Sequence, residues 1–83
     1  MEMKKILFVD DEKQILRALK RLFVNSNYDV QFAENGEKAL EIIKEGDYDL
    51  LVTDIRMPEM DGLELLRQVK SKSPLTLRVA LSG

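Results

Sequence analysis

Short, continuously apolar runs alternate along this chain with longer stretches whose apolar residues recur every third or fourth position. Ile6, Leu7, Phe8 and Val9 form one such run, and Leu50, Leu51, Val52 and Thr53 nearly repeat it. Both have the character of central strands covered on two faces. From Glu12 to about Asn25, Ile15, Leu16, Leu19, Leu22 and Phe23 recur at helical spacing, with Lys13, Arg17, Lys20 and Arg21 elsewhere around the wheel. Asn25-Ser26-Asn27 reads as a turn. Tyr28, Val30 and Phe32 then alternate with Asp29, Gln31 and Ala33, which predicts an edge strand with one fully apolar face. A second helix opens at Asn35-Gly36, carries Ala39, Leu40, Ile42 and Ile43 inward, and ends near Gly46. Pro58 biases Met57 away from helix, so the third helix starts at Asp61, with Glu64 as capping-box partner and Leu63, Leu66 and Val69 as its buried stripe. Ser73-Pro74 breaks that pattern, and Leu75, Leu77, Val79 and Leu81 alternate along a fourth strand that ends at Ser82-Gly83.

Strands alternating with helices argue for βαβ units and a parallel sheet. Right-handed crossovers arrange the strands in the order 2-1-3-4, with helices on both faces. Ligands of such sheets bind at the carboxyl ends of the strands, where the order reverses, here between strands one and three. With no repeat or internal linker, residues 1–83 make a single domain.

Composition narrows the chemistry. The formal charge of -2 supplies no global field for nucleic acid or anionic lipid. There is no cysteine and no histidine, so any metal site is built from oxygen ligands, which suits magnesium, manganese or calcium. The apolar run after Met1-Glu2-Met3-Lys4-Lys5 is too short for a signal peptide or a membrane span, and the expected location is the cytoplasm.

Asp10 and Asp11 close the first strand, and Asp54 closes the third. Each acid has a plainer reading: Asp11 capping the first helix with Gln14 as partner, Asp10 as a turn residue. Asp54 is harder to dismiss, because an acid ending a buried strand must be solvated, paired or bound to a cation. Three carboxylates at neighbouring strand ends raise one another's pKa unless a cation compensates, and a divalent ion answers all three.

These residues, together with Met57-Pro58, Met60-Asp61-Gly62 and Ser82-Gly83, make the chain resemble a response-regulator receiver domain of two-component signalling, a flavodoxin-like αβα fold. The resemblance runs along the whole chain in order. It implies that Asp54 accepts a phosphoryl group from the phosphohistidine of a sensor histidine kinase or phosphotransfer protein. It also implies that Asp10, Asp11, Asp54 and the backbone carbonyl of Arg56 serve a Mg2+ ion, and that Ser82 is the switch hydroxyl. In-line phosphoryl transfer needs little beyond positioning and charge neutralisation, and an oxygen-lined cation site supplies both. In the family the first helix faces the partner, so Lys13, Arg17, Lys20 and Arg21 could contact an acidic kinase surface, but for any single one of them an ordinary solvated face is the favoured reading. A haloacid-dehalogenase-like phosphatase is an alternative, but that family sets its second acid two residues beyond the first, whereas Asp10 and Asp11 are adjacent.

The family also carries a fourth helix, a fifth strand and a fifth helix, with a lysine ending the fifth strand, and the 83 residues contain no counterpart. Lys4 and Lys5 stand at the opposite end of the sheet. The expected consequences are impaired phosphoryl transfer or a phosphorylation-silent fragment, and self-association through the open edge of strand four.

Overall fold

The computed structural model of the protein describes residues 3–81. Its elements follow in the order β1 (Lys5–Val9), α1 (Lys13–Phe23), β2 (Asp29–Ala33), α2 (Gly36–Lys44), β3 (Leu50–Asp54), α3 (Gly62–Lys72) and β4 (Leu77–Leu81). The strands form one parallel sheet in the order β2-β1-β3-β4, as the crossover rule requires. The register places Phe8 between Phe32 and Val52, and Val9 between Ala33 and Thr53.

Because side chains alternate across a strand, the sheet has two distinct faces. Leu7, Val9, Leu51 and Thr53 point to the face covered by α2 and α3, where Ala39, Ile43, Leu65 and Val69 complete a dry core. Burial of these apolar side chains is the main source of stability in a domain of this size. The other face carries Ile6, Phe8, Val30 and Phe32 under α1, with the Phe8 ring 5.4 Å from Phe23 and 6.0 Å from Phe32. Toward β3 and β4 that face is open: Leu77, Val79 and Leu81 are 70%, 41% and 55% exposed.

Local chemistry explains the helix boundaries. The Asn35 side chain accepts from Lys38 N at 2.8 Å to start α2, and Asp61 accepts from Glu64 N at 2.9 Å to start α3. The reciprocal half of the capping box is not made, since the Glu64 carboxylate turns outward to Arg67 and Gln68. Asp11 does not cap α1: Glu12 holds the N-cap position without a side-chain bond, and Asp10 Oδ1 accepts from Glu12 N at 2.9 Å.

The buried stripes differ from the periodic expectation in three places. In α1, Leu16, Leu19 and Phe23 are half-buried, while Ile15 and Leu22 are exposed beside the open half of the sheet. In α3 the buried residue is Leu65, fully enclosed, and Leu63 is 58% exposed. Leu75 lies before β4 and faces solvent, because the chain there is held by Thr76, whose buried hydroxyl donates to Tyr48 O at 2.7 Å. In each case periodicity identified the apolar residues but not which flank another element would cover.

Candidate functional site

Strand β1 lies directly beside β3, so residues at their carboxyl ends are neighbours. Asp10 leaves β1 with its N–H still donating to Ala33 O at 3.1 Å, which extends the ladder toward β2 and fixes the direction of the turn. Asp54 is the last residue of β3 and stands opposite Leu81 of β4, with Ile55 N donating to Leu81 O at 3.3 Å. Asp10, Asp11 and Asp54 meet there, each offering a carboxylate oxygen within 4.8 Å of the others. Asp10 and Asp54 are half-buried and Asp11 is exposed.

The electrostatics follow from that arrangement. Desolvation pushes the Asp10 carboxyl above the usual aspartate range; the Glu12 N–H opposes this, and the charges of Asp54 and Asp11 add to the rise. A group held in this way gains from a nearby cation. The donors are all hard oxygens, open to solvent on the Asp11 side, which fits a hydrated Mg2+ that keeps several waters.

Features that periodicity did not single out hold the floor of this site. Thr53 is fully buried, and its hydroxyl donates to Asp54 O at 3.0 Å. Gly62 opens α3 against the end of β3: its N–H donates to Ile55 O at 2.8 Å, and a Cβ there would collide with the Asp54 carbonyl oxygen and sit 2.8 Å from Ile55 Cα. A side chain at Gly62 would therefore displace the strand end that carries Asp54. Between them runs the Met57–Met60 loop, with Met57 in the core and Glu59 at φ 66, the left-handed region that few side chains adopt without strain. Met60 packs against Gly36, so a Cβ at Gly36 would stand 2.6 Å from the Met60 sulfur. The loop is thereby pinned to the start of α2. The Asp-Gly pair at 61 and 62 was legible as a cap; the close approach at Gly62 was not.

Arg56 is exposed on the loop two residues past Asp54. Ser82 lies outside the described residues.

The four-stranded parallel sheet, with an acidic cluster at the switch point of its strand order, is a flavodoxin-like α/β fold. The family model of the response regulator receiver domain matches residues 6–83, and the chain belongs to that family, a domain of two-component systems. Membership replaces the phosphatase alternative. Over 68 residues the chain is 44% identical to the transcriptional regulatory protein ResD of Bacillus subtilis, a match that covers 82% of this chain and 28% of ResD. The chain thus spans less than a third of that relative. Among solved structures, the signal receiver domain of an HD domain-containing protein from Pseudomonas fluorescens matches with a TM-score of 0.94 at 32% identity, covering 99% of this chain and 66% of that one. The response regulator TrrA of Thermotoga maritima, solved in complex with Mg(2+)-BeF, matches with a TM-score of 0.87 at 40% identity, covering 96% and 70% of the two chains.

Proposed function

We propose that this chain is a phosphoacceptor that takes a phosphoryl group from the phosphohistidine of a sensor histidine kinase or phosphotransfer protein onto Asp54. The observation that carries this reading is the convergence of Asp10, Asp11 and Asp54 within 4.8 Å at the ends of adjacent strands. A carboxylate oxygen of Asp54 attacks phosphorus in line. The new O–P bond forms as the P–N bond to the donor imidazole breaks, with the electron pair leaving on that nitrogen. Asp54 is oriented for this by the Thr53 hydroxyl on its carbonyl and by the packing of Gly62 behind it.

Asp11 and Asp54 would hold Mg2+ directly, Asp10 through a water, and the Arg56 carbonyl would add a further ligand. The ion supplies charge neutralisation for oxygens that would otherwise repel. Ser82 is assigned to hydrogen-bond the phosphoryl oxygens and convert the added charge into a loop shift. The role is that of a signalling domain and not of an enzyme with its own substrate. A cytoplasmic location suits it, and no helix among the described residues is long and apolar enough to cross a membrane.

The test is intact-mass measurement after incubation with Mg2+ and acetyl phosphate. One phosphoryl group is expected on the native chain and none on Asp54→Ala; an unmodified native chain would sink the reading in favour of a phosphorylation-silent fragment.

A second reading concerns assembly, and the exposure of Leu77, Val79 and Leu81 on an edge strand favours it. The chain self-associates through β4, whose outer backbone groups are free to pair with a second copy. Gel filtration showing a strict monomer at high concentration would overturn this.

A further inference from the structure

Of the methionines at positions 1, 3, 57 and 60, the three within the described residues have unlike surroundings. Met3 is 55% exposed at the opposite end of the sheet from the acidic cluster, and Met57 is enclosed in the core. Met60 lies between these extremes: it is half-buried, with its side chain laid along Gly36 at the start of α2. A Cβ at Gly36 would meet the Met60 sulfur at 2.6 Å and its Cβ and Cγ at 3.1 Å, so that side of the sulfur has no room for another atom. The loop that carries Met60 is closed at its base, where Gly62 N donates to Ile55 O at 2.8 Å. Among the described residues, however, residues 56–60 make no backbone–backbone hydrogen bond. Packing of Met57 and Met60 against the core holds the loop instead. The left-handed Glu59 depends on that support, since strained backbone persists only where its surroundings impose it.

We propose that Met60 is a reversible oxidation site whose sulfoxide releases this loop from α2 and thereby loosens the carboxyl end of β3. Hydrogen peroxide serves as oxidant. A sulfur lone pair attacks one peroxide oxygen, the S–O bond forms as the O–O bond breaks, and the departing hydroxide takes the proton of the new S–OH and leaves as water. Sulfur loses two electrons and peroxide gains them. A reductase with a dithiol reverses the step, the oxygen leaving as water while the thiols close to a disulfide. The added oxygen needs space that the Gly36 side does not have, and it makes polar a contact packed against the core. The loop therefore swings outward. Gly62 transmits the motion, because its N–H is bonded to Ile55 and its backbone is packed against the Asp54 carbonyl. The effect on Asp54 rests on the phosphoacceptor reading; the oxidation and the loop movement do not.

Peptide mass mapping of the native chain after dilute hydrogen peroxide should show sulfoxide at Met3 and Met60 and little at Met57. Amide shifts in the oxidised, still folded protein should centre on Gly36, Glu37 and residues 55–62, and should revert with methionine sulfoxide reductase and a thiol. Met60→Leu conserves volume and lacks the sulfur, so it should lose these shifts while Met3 is still oxidised. Met60→Gln should show them without peroxide. Labelling of Asp54 by acetyl phosphate should fall about tenfold on oxidation of the native chain, since it depends on where the strand end holds the carboxylate, and should be unaffected by peroxide in Met60→Leu. Met60 left unmodified in the folded protein, shifts confined to Met60 itself, or the same shifts in oxidised Met60→Leu would each overturn the proposal. A loop shift with labelling unchanged would overturn the link to Asp54. A native chain that takes no phosphoryl group with or without peroxide would instead overturn the phosphoacceptor reading and leave the oxidation site standing.

Discussion

The two faces of one sheet behave as different materials, although they are built from alternate residues of the same strands. On the α2 and α3 side, Leu7, Leu51, Leu65 and Val69 are fully enclosed, and the layer is packed like a protein interior. On the α1 side no residue of the helix is fully buried, and β4 presents Leu77, Val79 and Leu81 to solvent. Dry packing is therefore concentrated on one face, and the other carries the exposed apolar surface. The acidic cluster sits at their shared edge, where the strands end.

The comparison is most directly tested by truncating one residue on each side. Leu51→Ala removes a fully buried side chain and should cost about 2–5 kcal/mol, much of the stability of a domain this small. Urea unfolding followed by circular dichroism measures it, and a cost below about 1 kcal/mol would break the picture of a single dry core.

Gly62→Ala comes next. The added methyl group meets the Asp54 carbonyl and Ile55, and overpacking of this kind costs about 1–3 kcal/mol. It should also lower labelling of Asp54 by acetyl phosphate more than an equally destabilising change far from the site, because it moves the strand end itself.

On the open face, Leu77→Lys should shift stability by less than about 0.5 kcal/mol, since the side chain is already mostly in water. Sedimentation velocity should show less self-association than in the native chain. A large loss of stability would mean that β4 is better covered than its exposure indicates.

The smallest effect concerns charge at the shared edge. Burial and its acidic neighbours raise the folded-state pKa of Asp10, so the folded state binds its proton more tightly than the unfolded chain does. Stability from this group is present below the ordinary aspartate pKa and is lost as pH rises through the raised value. Asp10→Asn keeps an acceptor for Glu12 N and removes the charge. It should raise the melting temperature of the metal-free protein by about 2 °C at neutral pH, with no gain at acidic pH below both values. Added Mg2+ should stabilise the native chain more than the variant.

Much of the site was legible because it depends on position along the chain. Asp10, Asp11 and Asp54 end apolar runs, and once the runs are parallel neighbours their ends must meet. Thr53 and Gly62 were not legible as parts of it. A threonine in a β-branched run looks like any strand residue, and the need for glycine at 62 arises only from α3 docking onto β3. Leu63 and Leu65 make the same point in the core, since helical spacing allows either to be the inward residue.

The sequence by itself determined the number and order of elements, the parallel sheet and the residues at its carboxyl edge, because these follow from local periodicity, turn chemistry and the handedness of crossovers. Only the tertiary structure decided which flank of each amphipathic helix is covered and how closely α3 approaches Asp54. Those features depend on distances between segments remote in sequence, and periodicity along one segment carries no information about what packs against it.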